Sequence, residues 1–133
     1  MSSAHLLVLN FQSAMNSWPS DLTPAGASGW EVKATAWLLD RCPSEFRTYE
    51  IFRTHPTALG YVTQFHLEHQ VEAIRDAYRS ARTTANLKPE PLDELLATLE
   101  HEGARLALEL EQASAVINAL VNQKSEFHLP NSK

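Results

Sequence analysis

His66 and His69 stand three residues apart, with Glu68 and Glu72 beside them. On an α-helix, His66, His69 and Glu72 point broadly one way. Two imidazoles and a carboxylate are a donor set that zinc or iron accepts. A metal held inside a helical bundle also draws ligands from facing helices. His101 is badly placed to help, because it lies two residues from Leu99 and so points away from the apolar seam described below. The competing reading makes His69 a partly buried packing residue with a hydrogen bond and leaves His66 at its edge. That reading is preferred, so no cofactor is expected; zinc or iron on His66, His69 and Glu72 is the alternative.

A second cluster holds Arg47, Tyr49, Arg53 and His55, with Arg41 close by in sequence. Charge-assisted hydrogen bonds from Arg47, Arg53 and His55 would suit a small anion, and a helix starting at Pro56 would add its N-terminal dipole. Against this, the same arginines can neutralise Asp40, Glu45 and Glu50. Cys42 is the sole cysteine, which excludes an internal disulfide and a thiolate cluster. Followed by Pro43, with no histidine at a telling spacing, it reads as a small buried thiol. Arg75, Arg79 and Arg82 interleave with Glu68, Glu72 and Asp76, the pattern of a solvated, salt-bridged helix face. The chain has no glycine-rich phosphate loop, nucleophile elbow or metalloprotease helix. No catalytic residue is assigned.

The elements that must position these groups are helical. Leu92, Leu96, Leu99, Gly103, Leu106, Leu110, Ala113, Ile117 and Leu120 follow an unbroken four-three repeat. Only an α-helix aligns them on one seam. A helix is predicted from about Pro91 to Gln123. Upstream, Pro56 to about Ala85 reads as another long helix, with a stripe at Leu67, Val71, Ile74, Tyr78, Ala81 and Ala85. A second apolar face, roughly opposite, runs through Val62, Phe65, His69 and Ala73. The short connector Asn86–Pro91 makes the two helices antiparallel neighbours. Ile74 should lie near Gly103, which would let it approach the backbone. Arg75 with Glu102, and Glu72 with Arg105, are expected ion pairs across the seam.

Ser28-Gly-Trp-Glu31 matches a capping box, so a short helix should follow to about Asp40, with Trp30, Ala34, Trp37 and Leu38 inward. Phe46, Tyr49, Ile51 and Phe52 predict an aromatic helix ending near Arg53-Thr-His-Pro56, with His55 as a corner. Ala4, Leu7, Val8, Phe11, Met15 and Trp18 recur at helical steps. A short strand at Leu6–Leu9 is the rival, but no second strand exists to pair with it.

The chain has 133 residues, 44% of them hydrophobic and 20% charged, with a net charge of −5. These values suit one globular domain. From Asp93 onward seven acids face three bases, and an acidic surface weighs against nucleic-acid binding. Leu6–Leu9 is too short for a signal-peptide core or a membrane span, so a cytoplasmic protein is expected.

Tyr49 with Arg53-Thr-His-Pro56 and Leu59, then His66, Tyr78 and Arg82, then Glu102-Gly-Ala-Arg-Leu106, resembles small uncharacterised helical proteins of high-GC Gram-positive bacteria. The resemblance covers about Phe46 to Leu120. It implies an all-helical bacterial protein and carries over no catalytic residue.

The expected architecture is thus a single all-α domain. Residues 1–29 form an N-terminal segment and loop, 30–55 short helices, 56–123 a long helical hairpin, and 124–133 a frayed tail. The short helices should cover Val62 and Phe65 with Trp30, Trp37, Phe46, Tyr49 and Phe52. A hairpin buries one stripe per helix, so its distal half should be covered by a second copy, giving a homodimeric four-helix bundle. The expected function is a non-enzymatic helical interaction or regulatory module, with a protein partner besides itself left open.

Overall fold

A computed structural model describes residues 17–131. The helix or strand expected within 4–18 falls almost entirely outside them. The described residues form α1 (Trp30–Leu39), a 3-10 helix (Ser44–Thr48), α2 (Glu50–Thr54), α3 (Pro56–Thr84) and α4 (Pro89–Asn131). The fold is all-α, with no strand among the described residues. α3 and α4 share the largest contact, α1 packs on both, and α2 packs on α3.

The boundaries have local causes. His55 is pushed to φ −127°, ψ 88° by the proline that follows, and Pro56 opens α3 where no amide partner is lost. At the other end, Asn86 takes φ 52°, the left-handed turn that asparagine tolerates after a helix. α4 begins at Pro89, two residues before the expected start, because Leu92 N already donates to Lys88 O at 3.0 Å. It also runs past Gln123 to Asn131.

The register of the hairpin follows from two glycines. A Cβ placed on Gly60 would meet Ile117, and one on Gly103 would meet Ile74. Equal steps up α3 and down α4 join these pairs, which is antiparallel packing with the expected Ile74–Gly103 match. The tight glycine, however, is Gly60. A methyl on Gly103 would sit 3.6 Å from Ile74, an ordinary contact, so Ile74 does not require glycine there.

Trp30, Ala34, Trp37 and Leu38 of α1 meet Leu59 and Leu67 of α3 and Ala113, Val116 and Leu120 of α4 in one core cluster. Leu22 joins them from the loop before α1, and Trp18 meets Trp30 with the rings tilted by 60° and their centroids 6.1 Å apart. Each fully buried leucine contributes about 2 kcal/mol, so stability concentrates at the open end of the hairpin.

Several expectations need correction. Ser28 does not cap α1: Gly29, at φ 71°, holds the N-cap position without a side-chain bond. The aromatic helix is split, because Tyr49 is extended (φ −90°, ψ 117°) between the 3-10 helix and α2. The short helices leave Phe65 and Tyr61 at 48% and 67% exposure. They cover Leu59, Thr63 and Leu67 instead, a face the hairpin seam partly shares. The ion pairs expected across the seam form within helices: Arg75 with Glu72, and Arg105 with Glu102 and Glu109. Three- and four-residue neighbours on one helix meet with less side-chain ordering than partners on two helices.

Candidate functional site

The densest meeting of ionisable groups is a hollow of about 500 Å³ where the end of α1 lies against α3 and α4. Asp40, Arg41, Cys42, His66, Arg105 and Glu109 line it. Arg41 lies 3.7 Å over the Trp37 ring and donates to Trp37 O at 3.1 Å. Its Nε is 3.7 Å from Glu109 Oε1, an ion pair without a hydrogen bond. Glu109 also accepts from Arg105 Nη1 at 2.8 Å. Arg105 Nε and Nη2 reach both oxygens of Glu102 at 2.8 and 2.7 Å. This fork holds the Glu102 carboxyl below its ordinary value and raises Arg105. Both arginines therefore share carboxylates already, and the hollow is largely self-neutralised.

Cys42 sits in the same hollow, half-buried. Its Sγ is 3.4 Å from Leu38 O and 3.1 Å from Thr63 Oγ1. Thr63 is fully buried and its hydroxyl donates to Leu59 O at 2.7 Å, while the thiol donates to Leu38 O and lies against the Thr63 hydroxyl. Burial pushes the thiol above its ordinary value, outweighing the Thr63 contact and the charge of Arg47. A protonated thiol is a weak nucleophile; here Cys42 ties α1 to α3.

The residues singled out from sequence are dispersed. His66 is half-buried at the hollow's edge, whereas His69 is exposed and stacks on Phe65 with centroids 6.4 Å apart. The expected burial order of the two histidines is thus reversed. Glu72 accepts from Arg75 at 3.0 Å. Among the described residues, no group of three or more His, Cys, Asp or Glu side chains is placed to hold a metal ion. Arg47 pairs with Asp40, as the neutralising reading expects. Arg53 Nη1 donates to Arg47 O at 2.8 Å, and His55 Nδ1 bonds Thr54 Oγ1 at 2.8 Å. Arg53 also lines a separate, mainly apolar hollow of about 310 Å³ beside Val32, Leu39 and Pro56, which neither Arg47 nor His55 reaches.

Sequence reasoning missed a larger feature. A groove of about 940 Å³ runs between α3 and α4, with Gln64, Glu68 and Arg75 along one wall. Ala104, Ala107, Leu108 and Ala115 line the other, and Val71 and Leu110 lie between. Ser114 Oγ bonds Gln64 Oε1 across it at 3.2 Å. The available signal was a second stripe of small and apolar residues on α4, three, four and eleven residues after Ala104. The stronger leucine seam masked it.

Comparison of the chain with protein-family models, curated proteins and solved structures finds no match in any of the three. Among the described residues, no helix is long and apolar enough to cross a membrane.

Proposed function

We propose that the protein is a non-enzymatic helical interaction or regulatory module that works in the cytoplasm as a homodimer. The observation that supports it is the distal arm of the hairpin. The core cluster stops at Leu67 on α3 and near Leu110 on α4. Beyond it the two helices continue alone: Val71, Ala81, Leu96 and Leu106 are buried between them, Ile74, Leu92, Leu95 and Leu99 are half-buried, and Tyr78 and Leu87 are exposed. A second copy is the occupant that the charges favour. From residue 75 to the connector α3 carries Arg75, Arg79 and Arg82 against Asp76, with Arg75 and Arg79 paired to Glu72 and Asp76 on the same helix, while the α4 side carries Glu90, Asp93, Glu94 and Glu100 against Lys88. A two-fold axis that lays α3 of one copy on α4 of the other brings opposite signs together. A bacterial origin of the high-GC Gram-positive kind belongs to the same reading.

Sedimentation at micromolar concentration tests it. The wild-type chain is expected to be a dimer. Reversing Arg75, Arg79 and Arg82 to Glu should give monomers, and so should reversing Glu90, Asp93 and Glu94 to Lys. Mixing the two variants should restore a dimer. A monomeric wild-type chain, or two reversed variants that both still dimerise, refutes the arrangement. The metal and anion alternatives on His66/His69 and Arg47/Arg53 are favoured by no observation of comparable weight.

A further inference from the structure

The groove between α3 and α4 has the dimensions of a helix. Val71 and Leu110 form an apolar floor, and Ala104, Ala107 and Ala115 make one wall low. Alanine at a contact lets two helix axes approach to about 8 Å, the short end of the usual range. Leu108 stands 53% exposed on the same wall. It sits on the side of α4 away from the leucine seam, so closer hairpin packing would not cover it. From Ala104 to Asn118 the wall rises about 21 Å at 1.5 Å per residue, the length of about four helical turns.

The rim selects the sign of the occupant. Glu68 and Glu72 stand on the α3 wall and Glu111 on the α4 wall, all exposed, against Arg75 alone. Arg75 is already committed to Glu72 at 3.0 Å. Glu68 accepts from the neutral amide of Gln64 at 3.0 Å. Neither Glu68 nor Glu111 has an ion-pair partner among the described residues. An unpaired carboxylate therefore stands on each side of an apolar floor. Like charges brought together across an interface are costly, and opposite ones speed and orient association. A second copy would bring the same acidic rim to this face, and the whole chain carries a net charge of −5.

We infer that the groove binds a basic amphipathic helix of another protein, about four turns long. Its apolar stripe lies on the floor between Val71 and Leu110, and Leu108 covers the stripe's outer edge. Lys or Arg on either flank of the stripe meets Glu68 and Glu111. In recognition of this kind the apolar anchors at helical spacing supply affinity, and the charged rim supplies orientation. The inference rests on the reading of the chain as an interaction module and names the class of its partner. It does not rest on the dimer, because the arm contact runs outward from Arg75 and the groove runs inward from it.

Selection from a peptide display library tests this on the full-length chain. The library holds helical peptides of about four turns, with leucine at i, i+4, i+7 and i+11 and every other position randomised. Peptides are kept that bind the wild-type chain and not Leu108→Asn, an uncharged change at an exposed position. They should carry Lys or Arg beside the leucines. A synthetic copy should shift the amide signals of Gln64, Leu108 and Glu111 and leave those of Val32 and Ala36 on α1 in place. Glu111→Lys should weaken its binding about fivefold, and exchanging the facing Lys of the peptide for Glu should restore it. Selected peptides with neutral or acidic flanks, or shifts elsewhere on the chain, overturn the proposal. So does an empty selection, the result expected if another part of this chain already fills the groove. Sedimentation separates this inference from the dimer. Leu108→Asn should keep the oligomeric state of the wild type; loss of a dimer there would put a second copy in the groove and overturn the proposal. A monomeric wild-type chain refutes the arm contact alone.

Discussion

Replacing Gly60 by Ala should destabilise the protein, although the same change inside a helix ordinarily stabilises by about 1 kcal/mol. A Cβ at Gly60 lies 3.0 Å from Ile117 Cγ2 and 3.2 Å from Cγ1. Carbon atoms settle at about 3.5–4.0 Å. Ile117 cannot swing aside, because a β-branched side chain in a helix has essentially one χ1 rotamer. Relief must come from parting α3 and α4, where they join the main core. Overpacking of this sort costs about 1–3 kcal/mol, more than the propensity gain, so a net loss of about 1 kcal/mol is expected. Gly103→Ala is the internal control. Its methyl would meet Ile74 Cγ2 at 3.6 Å, so the gain of about 0.5–1 kcal/mol should survive.

Urea unfolding followed by helical circular dichroism reads both variants, at one fixed protein concentration because self-association would shift the midpoint. A cycle with Ile117→Ala isolates the contact. Alone, that truncation should cost about 2 kcal/mol, the low end for a half-buried isoleucine. With Ala at position 60 it should cost about 1 kcal/mol less, since the new methyl fills part of the space. If Gly60→Ala stabilises as much as Gly103→Ala, the helices do not approach at Gly60 as described, and the register argument fails.

Truncating Leu67, fully buried, should cost about 3 kcal/mol, against about 1 kcal/mol for half-buried Leu99 in the distal arm; equal losses in denaturation would contradict a stability concentrated at the open end. Cys42 predicts a pH effect. Its folded-state pKa lies above the ordinary 9.0, so the thiol's contribution is full below about pH 9 and is lost as pH rises through the higher folded value. Unfolding midpoints measured at pH 7 and pH 10 should therefore fall less for Cys42→Ala than for the parent chain. Arg105→Ala, which breaks exposed pairs with Glu102 and Glu109, should change stability by less than about 1 kcal/mol; a larger loss in thermal unfolding would mean that the pairs near Arg41 are coupled.

The hairpin was readable from sequence because a helical seam is a local property. Each residue's place on the helix depends on its neighbours three and four positions away, so the leucine repeat of α4 and the stripe of α3 could be seen without knowing what they touch. The connector's length then implied antiparallel packing and the Ile74–Gly103 match. The proline corner at His55 was readable for the same reason, since the clash is between adjacent residues.

The chemistry-bearing residues were not readable in this way. His66 and His69 differ in sequence by three positions, yet one edges a hollow and the other faces outward. The difference arises because α1 and Cys42 cover only one flank of α3. Arg41 meets Glu109 across a long stretch of chain, and no local rule pairs them. The same holds for Ser28, whose capping pattern is locally sound but yields to the turn at Gly29. What each helix is could be decided by its own residues, because backbone hydrogen bonds and side-chain periodicity act within a few positions. Which of its faces is covered, and so which polar groups meet, was decided only when distant segments packed together, because burial is set by neighbours in space rather than along the chain.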